Sequence, residues 1–304
     1  MNIVITGASG FVGKNLSTYL QKENYKVEGL DLRNKDWKNN VSKSSDVMIH
    51  LAGKAHDTKN VSVPEDYFKI NRDLTIELYN EFLASEMKYF FYFSSVKAVA
   101  DAVEGILTES SVSNPQTPYG KSKKAAEKYI MENLPEDKQV FIIRPCMIHG
   151  PGNKGNLNLL YQIVEKGIPW PLAAFHNQRS FLGIDNLNYL IHQMLLKKDL
   201  ESGIYNFADD DALSTNDLIS TVNLALDKKA KLWNVSKSFI QRSASIGDRL
   251  KLPLNSERLQ KLTESYVVCN QKIKSPLGIE KLPYSAREGL IKTIKSFKKR
   301  KIVS

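Results

Sequence analysis

Five short apolar runs in the first half of the chain alternate with longer segments whose apolar residues recur every three or four positions. The runs "NIVITG" (2–7), "YKVEGLD" (25–31), "DVMIHLAG" (46–53), "YFFYFSS" (89–95) and "QVFIIRP" (139–145) are rich in Val, Ile, Phe and Tyr and close on small or polar residues. They predict buried strands. Between them, 11–23, 64–86 and 118–134 carry helical patterns. This alternation predicts crossover units and an α/β fold with a doubly wound parallel sheet, whose ligands bind beyond the carboxyl ends of the strands.

After residue 150 the texture changes. "GPGNKGNLNLL" is a glycine and asparagine loop leading into a helix, "GIPWPLAAFHNQRS" is irregular, and "GIYNFADD" (203–210) reads as one more strand. The expected division is a sheet domain over 1–150, rejoined by 180–210, and a smaller mixed lobe built from 151–179 and 211–304.

Composition narrows the class. The chain has 304 residues, 42% hydrophobic and 25% charged, as in a soluble globular protein. No apolar run approaches the roughly 20 residues that span a bilayer, and Met1 leads straight into a strand, which predicts a cytoplasmic protein with no integral membrane association. Cys146 and Cys269 match no metal-ligand or redox spacing, so both read as ordinary thiols and no metal is expected. The net charge of +10 favours anionic partners. Part of that excess is Lys298, Lys299, Arg300 and Lys301 near the end, read as a solvated terminus, with weak docking on an anionic membrane or on nucleic acid as the sharper alternative. No RNA-binding signature accompanies it.

Two constellations carry chemistry. "TGASGFVG" sets Gly7, Gly10 and Gly13 between the first strand and the first helix, where glycine permits a tight turn and close approach of a pyrophosphate to a helix N-terminus. Asp31 ends the second strand, 18 residues past Gly13. A carboxylate there accepts hydrogen bonds from ribose hydroxyls and repels a 2′-phosphate, favouring NAD, while Arg33 keeps NADP open. At the other constellation, "FSS" brings Ser94 and Ser95 to the carboxyl edge of the sheet, and "TPYGKSKKAAEKY" (117–129) places Tyr119 four residues ahead of Lys123. Alone, that pair is what an exposed helix produces by chance, and Lys124 to Lys128 read as ordinary exposed helix.

Together these residues resemble the short-chain dehydrogenase/reductase superfamily. "TGASGFVG", "DVMIHLAG", "FSS", "PYGKSK" and "IIRPCMIHGPG", in this order, look like its extended branch, the NAD-dependent nucleotide-sugar epimerases, dehydratases and reductases. The resemblance implies a Rossmann domain and assigns Ser95, Tyr119 and Lys123 to catalysis, with Ser94 as the alternative serine. It also implies cofactor contacts from Gly7, Gly10, Phe11, Val12, Gly13, Asp31, Arg33, Leu51, Ala52, Gly53, Asn71, Ser94, Tyr119, Lys123 and Pro145. For the substrate it implies His56, Ser95, His149, Asn156, Arg179 and Arg249, with Asn158 a weaker candidate. An ammonium beside a phenol favours the phenolate, so Tyr119 can remove or return a sugar hydroxyl proton while hydride moves to or from the nicotinamide. Dehydratases of this branch carry an Asp-Glu pair where this chain has Val96 and Lys97, which disfavours loss of water.

The closest likeness is to a subgroup acting at C4 of UDP-N-acetylhexosamines in surface-polysaccharide synthesis. The expected substrate is therefore a nucleoside-diphosphate sugar, and the expected assembly a homodimer. A 4-keto-6-deoxy-sugar reductase is favoured slightly over a 4-epimerase that retains NAD. A dinucleotide-binding sensor or scaffold without catalysis is the alternative from another class.

Overall fold

The structure, a computed structural model, describes residues 1–42, 44–54, 63–153, 157–250 and 255–303. In chain order its elements are β1 (Asn2–Thr6), α1 (Phe11–Lys22), β2 (Lys26–Leu30), β3 (Val47–His50), α2 (Pro64–Phe68), α3 (Leu74–Leu83), β4 (Tyr89–Phe93), β5 (Ile106–Leu107), α4 (Pro118–Glu132), β6 (Gln139–Pro145), β7 (Met147–His149), α5 (Leu157–Glu165), β8 (Arg179–Gly183), α6 (Ile184–Leu196), β9 (Gly203–Phe207), β10 (Ala212–Leu213), α7 (Thr215–Ala225), α8 (Lys237–Leu250), α9 (Ser256–Thr263), β11 (Val267–Val268), α10 (Gln271–Leu277) and α11 (Ala286–Val303). Six strands form one parallel sheet in the order β2-β1-β3-β4-β6-β9, the doubly wound arrangement expected from the sequence.

Side chains alternate across that sheet, and each face buries its own set. Ile3, Ile5, Ile49, Phe91 and Phe141 pack toward α1 and α6 with Leu16, Leu187 and Ile191. Val4, Met48, Phe90, Tyr92 and Ile142 pack toward α3 and α4 with Tyr79, Phe82, Ala126 and Ile130. Each such side chain contributes roughly 1.5–3 kcal/mol when fully buried. One expected strand departs from the pattern: β2 leaves Lys26, Glu28 and Gly29 exposed, because it is the sheet's edge, where charges discourage pairing with another chain.

The second helical segment also differs from expectation in one detail. It runs through a π-helical turn, Lys69–Asp73, between α2 and α3. Such widened turns re-aim a side chain, and here the residue inside is the fully buried Asn71.

A third apolar cluster lies outside the main sheet and joins Leu157, Trp170, Phe181, Leu213, Ile240, Ala244 and Leu290. A small sheet, β10-β8-β7, borders it. Among the described residues no helix is long and apolar enough to cross a membrane.

Candidate active site

The carboxyl ends of the parallel strands are in register: Thr6 lies beside Leu30 and His50, and His50 beside Tyr92. The residues that follow those strands therefore share one edge. Gly7 takes a left-handed φ of 69°, and a Cβ there would stand 2.8 Å from the Ala52 nitrogen. At Gly13 an added Cβ would sit 2.2 Å from the Gly7 oxygen, so α1 can press onto the turn only through glycine. Gly10 is the N-cap of α1 and brings no side-chain cap, which leaves the first-turn N–H groups of Phe11 and Val12 to an outside acceptor.

Asp31 is exposed one step past β2. Arg33 grips its carboxylate through Nε at 2.9 Å and Nη2 at 2.8 Å, and these hydrogen bonds hold the Asp31 carboxyl down at about 2. An anion-accepting helix end beside a ribose-accepting carboxylate fits a dinucleotide, with Leu51, Ala52 and Gly53 along the same edge.

Behind that edge runs a buried chain of hydrogen bonds. The Ala52 N–H donates to Thr6 Oγ1, which lies 2.7 Å from His50 Nδ1, and His50 Nε2 lies 2.9 Å from Thr75 Oγ1. Thr75 donates its own proton to the Asn71 carbonyl. That leaves His50 as the Nε2–H tautomer, donating to Thr75 and accepting from Thr6. Burial, with the Lys123 charge adding to it, pushes this imidazole down to about 3. Asn71 then bridges the two halves of the site: its side chain accepts from the Lys54 N–H at 2.8 Å and donates to the Lys54 carbonyl and to Ser122 Oγ.

Tyr119 and Lys123 open α4. Thr117 caps it by accepting from the Gly120 N–H, Pro118 fits its first turn, and a Cβ on Gly120 would meet the Lys97 carbonyl at 2.4 Å. Tyr119 is half-buried, its hydroxyl is hydrogen-bonded with Ser95, and its ring meets Tyr67 edge-on at 6.3 Å. Burial raises its phenol, and the Ser95 hydrogen bond opposes that rise. Lys123 is buried, donates to the Phe93 carbonyl at 2.8 Å and lies over the Tyr92 ring at 4.9 Å. Burial brings its ammonium down to about 8, with Glu127 opposing. Serine, phenol and ammonium thus meet at one edge, with the chemistry of a proton relay to a hydroxyl or keto oxygen.

The depressed Lys123 has a stability consequence. Between pH 8 and its ordinary 10.5 the unfolded chain holds a proton the folded chain has shed, so this group makes stability rise with pH across that window, and below it the penalty is constant. Lys123→Met should therefore be more stable than the wild type at pH 7, by on the order of 2 kcal/mol after the lost Phe93 hydrogen bond is discounted. The gap should close toward pH 10.5; urea unfolding of both proteins from pH 7 to 10.5 measures it, and a gap independent of pH refutes the assignment.

A second, cationic group stands beside Ser95. Lys97 donates to the Asp101 carbonyl at 2.7 Å and lies 4.5 Å over the Tyr266 ring. Its ammonium is lowered by burial, opposed by Asp101 and Glu264 and reinforced by the charges of Arg179 and Lys261. Arg179 opens β8, is half-buried and hydrogen-bonds the Lys261 carbonyl through Nη1. Tyr266 ties the segment before β11 to the loop after β4 by donating to the carbonyls of Val96 and Ala100.

Five other expected positions have these surroundings in the structure. Ser94 does not offer its hydroxyl to a ligand: it donates to Glu127 Oε1 at 2.6 Å, inside the protein. His149 is fully buried rather than turned to a substrate, its Nδ1 2.9 Å from Thr293 Oγ1 on α11 and its Nε2 3.8 Å from Asp209. Pro145 is buried in the sheet beside Phe207. Arg249 is exposed in the last turn of α8. Asn158 donates to the Asn153 carbonyl, and His56 and Asn156 lie outside the described residues.

Sequence reasoning missed Glu127 and Arg144. Glu127, expected on an exposed helix face, is 1% exposed and receives Arg144 Nε at 2.8 Å and Nη2 at 2.7 Å. Its signal was present: Tyr119, Lys123 and Glu127 continue one four-residue stripe of α4.

The profile of the NAD dependent epimerase/dehydratase family matches residues 3–208. The UDP-glucose 4-epimerase of Vibrio cholerae is 30% identical, covering 97% of this chain and 95% of that protein. An N-acetyl-α-D-glucosaminyl-diphospho-ditrans,octacis-undecaprenol 4-epimerase of Escherichia coli O157:H7 is 25% identical over 96% and 94% of the two chains. Among solved structures, RMD of Pseudomonas aeruginosa complexed with NADPH shares the fold, with a TM-score of 0.75 at 21% identity over 97% of this chain and 98% of that one.

Proposed function

We propose, for a chain that belongs to the NAD dependent epimerase/dehydratase family, that its reaction is inversion at C4 of a nucleoside-diphosphate hexose of the UDP-N-acetylglucosamine type. The enzyme depends on NAD(P), which supplies the hydride acceptor and donor when bound. The observation that carries this reading is the convergence of Ser95, Tyr119 and Lys123 with no acid-base pair after Ser95. Val96 is buried and gives its carbonyl to Tyr266, and Lys97 is turned to Asp101, so neither can drive loss of water. Two relatives matched over nearly their whole length are 4-epimerases, which supports inversion over one-way reduction.

In this reading Ser95 holds the C4 oxygen, and Tyr119 takes its proton and later gives one back. The Lys123 ammonium, one turn along α4, and the positive nicotinamide when bound would favour the phenolate against burial. Lys97 and Arg179 neutralise the diphosphate, Arg179 presenting a fork that a point charge lacks. Asp31 selects an unphosphorylated ribose.

A second reading is reduction of a 4-keto-6-deoxy sugar. Arg33 favours it, because a guanidinium 85% exposed beside Asp31 can swing onto a 2′-phosphate and admit NADPH. Proton NMR of the protein with UDP-N-acetylglucosamine, UDP-glucose and a trace of NAD separates the two. New anomeric signals of the C4 epimer without net cofactor change are expected. No conversion, with the 4-keto-6-deoxy sugar consumed in step with NAD(P)H, overturns inversion and leaves reduction.

A further inference from the structure

One segment of the chain carries exposed apolar and basic side chains that the proposed reaction does not use, although two of its lysines contact the protein itself, Lys228 donating to the Glu165 carbonyl and Lys237 lying 5.8 Å over the Phe175 ring. Leu224, Leu232, Trp233, Phe239, Ile246 and Leu250 are all exposed large apolar side chains. All six lie within 27 residues, 224–250. From 228 to 250 the chain also carries six basic residues, Lys228, Lys229, Lys231, Lys237, Arg242 and Arg249, against a single acidic one, Asp248.

Helix α8 organises this material into faces. With 3.6 residues per turn, Phe239, Ile246 and Leu250 fall within an arc of about 40°, and Arg242 and Arg249 flank it on one side. The three apolar side chains are 63%, 55% and 65% exposed. The stripe that holds α8 to the protein is a different one, Ile240, Ala244 and Gly247, with Ile240 and Ala244 in the apolar cluster of the second lobe. Among the described residues the outer stripe belongs to none of the apolar clusters that hold the helices together.

We propose that this outer face of α8, with the lysines and Trp233 that precede it, docks on the surface of a bilayer rich in anionic phospholipid. The apolar side chains form one exposed stripe along a helix, which suits insertion among acyl chains and headgroups. The flanking arginines have apolar stems that follow the surface while their heads meet phosphates, and Trp233 is of the residue type that settles at that depth. At 14 residues, about 21 Å, α8 is too short to cross the hydrocarbon layer and lies in its plane. Charge argues against a second copy of this chain as the occupant: a twofold pairing through this face sets the same cluster of cations against itself.

Co-sedimentation of the full chain with sucrose-loaded phosphatidylcholine vesicles, with and without phosphatidylglycerol, tests the proposal. Binding is expected only to the anionic vesicles and should weaken several-fold on raising the salt. Phe239→Ser/Ile246→Ser, and separately Arg242→Ser, should each lower the partition coefficient by about tenfold while the far-ultraviolet spectrum and the melting transition stay unchanged. Absence of binding to anionic vesicles overturns the proposal. So does binding that survives these substitutions, which moves the contact to the basic C-terminal end. A wild-type dimer in sedimentation equilibrium that Phe239→Ser/Ile246→Ser converts to monomer assigns the face to a second copy instead.

Discussion

Tyr119→Phe lowers turnover by about 10³-fold while leaving the dissociation constant of NAD within about twofold. The substitution removes one oxygen and keeps the ring, so the edge-on contact with Tyr67 and the start of α4 survive. What disappears is the phenol hydrogen-bonded with Ser95 at the strand edge, and a positioned acid-base group contributes typically 10²–10⁴ in rate. Affinity for the dinucleotide rests on other atoms in this reading, the first turn of α1 and the carboxylate of Asp31. Single-turnover kinetics and a fluorescence titration of NAD on the same preparation check both halves. Turnover within tenfold of the wild type refutes the proton relay, whereas a parallel loss of NAD affinity shows that the hydroxyl serves binding.

The pH dependence of the wild type belongs to the same argument. Burial raises the Tyr119 phenol and lowers the Lys123 ammonium to about 8, so it disfavours the charged forms of both. The relay is poised to gain from any positive charge brought beside it, because that charge stabilises a phenolate that burial alone opposes.

How far the sequence could be read depended on how local the physics was. The strands and helices of the first 150 residues follow from short periodic windows, and the glycine turn is legible because Gly7, Gly10 and Gly13 sit within seven residues of one another. Ser95, Tyr119 and Lys123 stand at a strand end and a helix start, but their spacing alone is ordinary, and it is the order of five motifs resembling a known family that singles them out. Contacts closed over long distances were not legible. His149 was expected to face a substrate from its place before Gly150 and Pro151, yet its partner Thr293 is 144 positions away on the last helix. Glu127 was read as solvated because its neighbours Lys124 and Lys128 are charged, and nothing in that window announces Arg144 on β6. The cation cluster likewise needs β8, the loop after β4 and the segment around Tyr266 to be brought together before Lys97 and Arg179 can be recognised as one group.

Arg144→Met should be the most destabilising single change near the site. Arg144 and Glu127 are 2% and 1% exposed and joined by two hydrogen bonds, with Ser94 donating a third to the same carboxylate. Removing the guanidinium strands an ionised carboxylate in the core, a loss of about 3–5 kcal/mol, or roughly 5–8 °C in melting temperature for a chain of this size. The pair itself need not be worth that much, since two charges were desolvated to make it. The double variant Glu127→Leu/Arg144→Met leaves no orphaned carboxylate and should recover most of the loss, short of about 1 kcal/mol for the Ser94 hydroxyl left without its acceptor and of the support Glu127 gives the Lys123 ammonium. Urea unfolding of both variants decides the matter: a single variant within about 1 kcal/mol of the wild type, or a double variant worse than the single, contradicts the account. The same pair bears on chemistry through one link. Ser94 lies between Phe93, whose carbonyl holds Lys123, and Ser95, which holds Tyr119, so releasing Ser94 loosens both ends of the proposed relay. The double variant should then be nearly as stable as the wild type yet slower in turnover, a separation that a purely structural ion pair would not produce.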